Sequence, residues 1–350
     1  MWKYGVRMTT LVATTPGLYP LPDWAKHRLS DLKGHQKHDL ISGNEGSAIV
    51  SVYEDVRTEL IDDQVSAGLD RIVEGQGRWD DMLAHPLCVH ENVETRGIVR
   101  YYDNNNFYRD PVVTGELTEN GDVAAELEAA TTLADDGDHA DSLQAVLPGP
   151  YSLADLATDE YYGDDAEFLD AIAEFLAAEV AGFPEHATLF LLEPSLVVNP
   201  PADGVDERAS EAIDRVATAS DADVVVHTYW GALTEKVHAH LLDADIAAIG
   251  YDFVTNVEDN LYNINEYRTK DSIALGLVNG QNTLVEAPET VAERIEWIEA
   301  HVPAQEFETI YATTNTELFY LPENKYKAKL EALSDAVVRY ETDAEREVHA

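Results

Sequence analysis

Residues 223–228 read DVVVHT, an apolar β-branched run that ends on a histidine and a threonine. Such a run is typical of a strand in a parallel sheet, because helices on one side and core side chains on the other bury both of its faces. Seven further runs of this kind lie at residues 10–16, 70–75, 145–149, 188–194, 246–252, 272–280 and 309–315. Their repetition predicts a parallel sheet.

Amphipathic segments of helical length separate most of these runs, as ERASEAIDRVATAS (207–220) does before DVVVHT. Eight strands that alternate with helices predict an α/β fold of the (β/α)8 TIM-barrel class. The GxGxxG phosphate loop of an open doubly wound sheet is absent from the sequence. We predict one barrel domain over residues 9–340, with an N-terminal extension at 1–8 and a C-terminal tail at 341–350.

The segment from about 76 to 143 is too long to be one helix between two strands. It contains RYYDNNNFYRDPVVTGEL (100–117), in which a run of asparagines separates two aromatic, strand-like pieces. We therefore predict an inserted hairpin or lid after the second strand. Loops of this length in a compact domain are often functional.

The charge balance excludes two classes of partner. The 67 acidic and 23 basic residues give a net charge of −44, which repels nucleic acid and anionic membranes. The acidity is spread along the chain, as in halophilic proteins of salt-loving archaea, where molar salt screens it. We find neither an apolar run long enough to span a membrane nor a signal-peptide pattern, and we expect a cytoplasmic location.

Polar residues follow the predicted strands, and in a barrel the carboxyl ends of the strands share one rim, where active sites lie. These residues are Glu74, Glu193, His227, Asp252, Asn279 and Asn315. Any of them could instead cap the next helix. His227 and Asp252 end consecutive strands, so they could share a metal, act as acid and base, or form a hydrogen bond with each other.

Four strand-end phrases resemble those of the cobalamin-independent methionine synthase family, whose fold is related to that of uroporphyrinogen decarboxylase. They are AVLPGPYSLADL (145–156), LLEPSL (191–196), VVVHTYWG (224–231) and LGLVNGQN (275–282), and GLYP (17–20), AGLDRIVEGQGR (67–78) and YYDNNNFYRDP (101–111) extend the likeness. The resemblance implies a barrel that takes part in methyl transfer to homocysteine, whose thiol this family activates on zinc.

The resemblance also implies that the zinc site is degenerate in this chain. His227 keeps the position of the histidine ligand and Asp252 that of the glutamate, while Tyr229 and Thr316 replace two cysteines. Neither a phenol nor a hydroxyl replaces a thiolate at neutral pH. The chain thus resembles the zinc-free N-terminal barrel of the two-barrel enzyme, as a free-standing paralogue that binds no cofactor alone.

The single cysteine, Cys88, excludes an intrachain disulfide and a zinc site with several thiolates of this chain. A metal site rebuilt from Cys88 and the nearby His90 is the alternative to the loss of zinc. If the site is lost, we expect a second, zinc-bearing barrel as the partner of this chain.

Three functions fit the sequence. The chain is expected to be a methyltransferase component in methionine biosynthesis that helps to bind the methyl donor, which is a folate or a methylated corrinoid protein. The alternatives are a non-catalytic structural or regulatory subunit and a metal-free, decarboxylase-like lyase that uses His227 and Asp252. A lyase of that kind is expected to carry an arginine-rich phrase after GLYP, and this sequence lacks it.

The resemblance and the strand-end pattern together select candidate site residues. As catalytic residues we expect His227, Asp252 and Glu193. Contacts to substrate or donor are expected from Lys26, Arg28, Arg109, Trp230, Asn279 and Asn315, because an anionic donor needs fixed positive charge and a flat ring needs an aromatic surface. Surface solubility for the cations and core packing for the tryptophan are the alternatives.

Overall fold

The computed structural model describes residues 9–31, 45–79, 82–102, 107–136 and 139–348. The predicted N-terminal extension at 1–8 and the asparagine run at 103–106 therefore lie outside the described residues. In the described part, no helix is long and apolar enough to cross a membrane.

The described strands, in chain order, are β1 (Thr10–Ala13), β2 (Ile72–Val73), β3 (Val93–Arg100), β4 (Phe107–Val113), β5 (Leu143–Pro148), β6 (Thr158–Asp159), β7 (Thr188–Leu192), β8 (Asp223–His227), β9 (Ala248–Asp252), β10 (Ser272–Val278) and β11 (Thr309–Thr314). Eight of them, in the order β1-β11-β10-β9-β8-β7-β5-β2, form one curled parallel sheet. All eight strands predicted from apolar runs are confirmed, and with them the α/β barrel class.

The described helices are α1 (Asp23–Asp31), α2 (Ser47–Ala67), α3 (His85–Cys88), α4 (Asp122–Asp136), α5 (Pro150–Leu156), α6 (Asp165–Ala181), α7 (Ser195–Val198), α8 (Val205–Ala217), α9 (Glu235–Leu241), α10 (Val257–Tyr267), α11 (Pro288–His301) and α12 (Glu323–Val348). Local signals set their ends: the carboxylate of Asp164 caps the first turn of α6, and Gly68 ends α2 with φ 80°. Because α12 continues to Val348, it includes most of the segment predicted as a C-terminal tail.

The inserted hairpin is β3 paired antiparallel with β4, and β6 adds a third strand parallel to β4. The β3–β4 hairpin lies in the segment predicted as an insertion, which also contains the helix α4 that precedes β5, whereas β6 lies after that segment. The hairpin prediction is therefore confirmed.

Side chains complete the sheet where β1 meets β2. The amide of Asp70 donates to the carbonyl of Ala13 over 3.0 Å, and the Asp70 carboxylate accepts from the amide of Ala13 over 2.7 Å. The Gln144 amide accepts from the Thr14 hydroxyl and donates to the carbonyl of Thr15, each over 2.7 Å. These bonds join the two ends of the curled sheet and close the barrel.

The short strand β2 has a further partner in the buried side chain of Gln64 on α2. The Gln64 amide donates to the Val73 carbonyl and accepts from the Val73 amide, each over 2.8 Å. One side chain thus supplies the donor and the acceptor that a neighbouring strand would supply. Buried backbone groups need such partners, because an unpaired one costs free energy.

Replacing Gln64 by leucine removes both partners of Val73 at nearly constant volume. Since each buried backbone group left unpaired costs roughly 1–3 kcal/mol, we expect the free energy of unfolding to fall by about 2–5 kcal/mol. Urea denaturation at fixed salt measures this loss. Gln281→Leu, in an exposed loop, is the control and should change it by less than about 0.5 kcal/mol. Equal stability of the two variants would contradict the role of Gln64.

Candidate functional site

His227 ends β8 and is fully buried. Its Nε2 lies 3.1 Å from the carbonyl oxygen of Thr314, to which it donates. Strand β11, which carries Thr314, is not a neighbour of β8, so the imidazole reaches across the barrel interior. The acceptor atom Nδ1 has no hydrogen-bond partner in the described part of the chain. Burial lowers the pKa of His227 to about 4, so the ring is neutral at pH 7.

Gly250 on β9 makes room for this histidine. A Cβ atom at position 250 would lie 2.2 Å from Nδ1 of His227, closer than any carbon atom can approach. A residue without a side chain is therefore required beside the imidazole.

Asp252 ends β9, and hydrogen-bond donors of the protein surround both oxygens of its buried carboxylate. Oδ1 accepts from the amides of Val254 and Thr255, each over 2.9 Å, and Oδ2 accepts from the amide of Trp230 over 2.9 Å and from the Thr255 hydroxyl. The Asn315 side-chain amide lies 3.1 Å from each oxygen. The carboxylate thereby joins the segments that follow β8, β9 and β11.

His227 and Asp252 do not form a hydrogen bond with each other, so that one of the three alternatives for the pair is wrong. The imidazole bonds to Thr314 and the carboxylate bonds to Asn315 and to backbone amides. Thr314 lies on β11 and Asn315 directly follows it, so both partners lie beyond the two neighbouring strands β8 and β9.

The four positions implied by the family for zinc do not fit that metal. Asp252 has no oxygen lone pair to spare, and the hydroxyl of Thr316 donates to the carbonyl of Glu317 over 3.2 Å. Tyr229 is fully buried and fills the position of the first cysteine with a phenol ring 5.5 Å from the His227 ring. Zinc sites need three or four donors such as thiolate, imidazole or free carboxylate. Within the described ranges no group of three His, Cys, Asp or Glu residues could hold a metal.

Cys88 and His90, the residues considered for a rebuilt metal site, lie in the insertion. Cys88 is buried at the end of α3. The ring of His90 accepts from the amide of Asn92 at Nδ1 over 3.0 Å, and its Nε2 lies 2.9 Å from the carbonyl oxygen of Thr118. Both ring nitrogens thus already have backbone partners, which does not favour a ligand role.

Glu193 follows β7 and caps α5. Its carboxylate accepts from the amide of Tyr151 over 3.0 Å, from the amide of Ser152 over 2.8 Å and from the Ser152 hydroxyl over 2.6 Å. Complete burial raises the pKa of Glu193 to about 7. A Cβ at Gly149 would lie 2.2 Å from this carboxyl group, so glycine is required there. The capping alternative is the role that these contacts favour.

Glu74 follows β2 and is also held by protein groups. It accepts from the amide of Gln76 over 2.7 Å and lies 3.4 Å from Nε of Arg57. Burial raises its pKa to about 7.

Trp230 lies in an aromatic cluster that joins the barrel to the hairpin segment. Its ring centroid is 5.4 Å from that of Tyr229, 6.2 Å from that of Tyr101 and 5.2 Å from that of Tyr102. The bond from its amide to Asp252 holds its backbone in the left-handed region, with φ 61°. Trp230 is half-buried, so part of this residue is open to solvent.

The predicted cations lie apart from the buried residues of the rim. Lys26 and Arg28 are exposed on α1, 3.1 Å from Asp23 and 2.9 Å from Asp55 respectively. Arg109 lies on β4 and is half-buried. The two α1 cations are thus already paired on the surface, as the solubility alternative expects.

The two predicted amides stabilise loops at the rim. Oδ1 of Asn279 accepts from the amides of Gln281 and Asn282 over 2.9 and 3.0 Å. Oδ1 of Asn315 accepts from the amide of Gly280 over 3.0 Å. The structure therefore joins Asn315 to Asp252 and to the loop of Asn279.

With this geometry in place, comparison with known proteins decides the family. Residues 88–303 match the family described as "Cobalamin-independent synthase, N-terminal domain". The chain belongs to this family. The resemblance found in the strand-end phrases is confirmed.

Two curated members of the wider synthase group are similar over most of their length. The methionine synthase of Saccharolobus solfataricus is 21% identical over 300 residues, which cover 85% of this chain and 86% of the relative. The methionine synthase of Sulfolobus acidocaldarius is 22% identical over 293 residues, which cover 82% of this chain and 80% of the relative. Both are similar to this synthase-family chain over nearly its whole barrel.

A solved structure shares the fold. It is a B12-independent methionine synthase from Shewanella sp. W3-18-1 in complex with selenomethionine, with a TM-score of 0.75 and 19% identity. The match covers 97% of this chain and 100% of the other. At this identity the likeness supports the barrel architecture alone.

Sequence reasoning missed Glu317 at the rim of this family barrel. Glu317 is buried after β11, and Tyr101 and Tyr102 pack on Trp230. The aromatic pair in RYYDNNNFY was visible as a pattern. No pattern in the polar phrase TTNTEL indicates that Glu317 is buried.

Asn315→Asp tests whether Asn315 holds the carboxylate of Asp252. The substitution replaces two hydrogen bonds with a second buried carboxylate, so we expect the free energy of unfolding to fall by roughly 3 kcal/mol or more at pH 7. Chemical denaturation at pH 7 measures this loss.

Asn282→Asp is the matched control, because the exposed Asn282 uses its side-chain oxygen, which aspartate keeps. It should change stability by less than about 0.5 kcal/mol. If Asn315→Asp were no worse than this control, Asn315 would not hold the Asp252 carboxylate.

Proposed function

We propose that this chain is a methionine synthase-type methyltransferase component that helps to bind the methyl donor beside a second, zinc-bearing barrel. The second barrel activates homocysteine, and the pair of chains transfers the methyl group to its thiol. Membership of the family of N-terminal domains supports this role, and so do the names of the curated relatives. A cytoplasmic location and a high-salt host stay predictions.

One observation carries the proposal: the protein's own groups fill the positions that the family implies for zinc. Asp252 is saturated with donors, and Tyr229 and Thr316 offer hydroxyl groups in place of thiolates. A barrel with such a rim needs zinc from elsewhere to activate a thiol. We therefore propose that this chain binds no zinc and that its partner does.

The contacts disfavour the metal-free lyase. A general acid or base needs a free proton or lone pair within hydrogen-bond reach of the substrate. Here His227 and Asp252 have separate partners. The carboxylate of Asp252 already accepts from five donor groups of Trp230, Val254, Thr255 and Asn315. We propose instead that His227, Asp252 and Glu193 fix the shape of the rim on which the donor binds.

The ring of the half-buried Trp230 is our candidate surface for the flat ring of the donor. A pterin and a corrin both offer such a ring, so folate and a corrinoid protein remain the two donor classes. Arg109 is the candidate contact for an anionic part of the donor.

An assay with both chains tests the proposal. We expect methionine to form from homocysteine and a methylated folate or corrinoid only when this chain and a zinc-bearing paralogue are combined. Trp230→Ala should raise the KM for the donor roughly ten-fold, which corresponds to about 1.4 kcal/mol of lost ring contact. Trp297→Ala, 43% exposed on the outer helix α11, should leave this KM unchanged.

Activity of either chain alone would change the role assigned to this chain. Full activity of the partner alone would assign this chain to a structural or regulatory role. Activity of this chain alone would contradict the proposed division between two barrels.

A further inference from the structure

Glu317 is a buried acid without a protein partner. It follows β11, its side chain is 1% exposed, and both carboxyl oxygens lack hydrogen bonds within the described ranges. Burial raises its pKa to about 7. A buried carboxyl group with no donor costs several kcal/mol in its ionised form, so such groups in proteins usually face a cation, a ligand or water.

Two buried tyrosine hydroxyls also lack hydrogen-bond partners among the described residues. Tyr101 and Tyr229 are buried, and neither hydroxyl has a hydrogen-bond partner in the residues described here. Burial raises the pKa of both hydroxyls, and the charge of Glu317 raises it further, so the three groups lie within electrostatic reach of one another. They nevertheless form no hydrogen bonds among themselves. The four oxygen atoms of these three groups therefore each need a partner.

Three separate parts of the chain carry these groups. Tyr101 precedes the hairpin tip, Tyr229 follows β8 and Glu317 follows β11. The ring of Trp230 packs edge to face against both tyrosines, at interplanar angles of 79° and 81°. The arrangement combines one carboxylate with aromatic rings, whose faces attract cations.

The chemistry of these groups selects the ligand. The carboxylate oxygens accept hydrogen bonds only, and each tyrosine oxygen can accept as well. A group with several N–H donors and a positive charge satisfies all of them, whereas an anion would be repelled and an apolar group would leave the oxygens unpaired.

We propose that Glu317, Tyr101 and Tyr229 form a binding site for the ammonium group of a small organic cation. The site goes beyond the proposed methyl transfer, because it concerns binding to this chain alone. Its failure would leave the two-barrel proposal unaffected.

Calorimetric titration of the full chain with propylammonium, at constant sodium chloride, tests the site. We expect propylammonium to bind and the neutral analogue 1-butanol not to bind. Glu317→Gln should weaken propylammonium binding at least ten-fold, and Tyr101→Phe and Tyr229→Phe should each weaken it several-fold. The control Glu331→Gln removes the same charge from an exposed position of α12 and should leave binding unchanged.

The pH dependence gives an independent readout. Propylammonium stays charged between pH 5 and 8, but the carboxyl of Glu317 loses its charge as the pH falls below about 7. The affinity of the wild-type chain should therefore fall by about ten-fold per pH unit at low pH, while that of Glu317→Gln stays constant.

Thermal unfolding checks that the variant still folds. Because Glu317→Gln removes an uncompensated buried charge, its unfolding temperature without ligand should equal or exceed that of the wild type. Propylammonium should raise the unfolding temperature of the wild type only. Absence of binding to the wild type, equal binding to Glu317→Gln, or displacement by equimolar potassium chloride would each overturn the proposal.

Discussion

The rim of this barrel depends on the hydrogen bonds that the carboxylate of Asp252 accepts. A buried carboxylate is stable only when donors surround it, and here the donors come from the segments after β8, β9 and β11. The bond to Trp230 holds the backbone turn at this half-buried residue. The bond to Asn315 fixes an amide whose oxygen in turn holds the amide of Gly280. One anion therefore shapes several loops at once.

This use of Asp252 supports our proposal that the chain keeps its fold without zinc. A metal ion draws the ends of several strands together through its ligands. In this chain hydrogen bonds to the carboxylate of Asp252 join the strand ends, and the ring of Tyr229 lies beside that of His227. The histidine has a structural partner in the carbonyl of Thr314.

The fold could be predicted from the sequence because each strand is a continuous apolar run, as in DVVVHT. The polar residues at the strand ends could be predicted for the same reason. Their partners could not, because His227 reaches Thr314 across the barrel, and no pattern in the chain records a distance between strands that are not neighbours. Gln64 carries no signal either, since its pairing with β2 depends on how α2 packs. Glu317 looks like a surface residue in the sequence, but it is buried in the structure.

The central claim is our proposal that the protein's own groups, not zinc, fill the positions that the family implies for the metal. Zinc binding to the purified full chain, measured by competition with a chelator at neutral pH, tests this most directly. The account predicts only weak binding that His227→Ala leaves unchanged, because the acidic surface binds divalent ions loosely. One tightly bound zinc per chain that is lost in His227→Ala would contradict it.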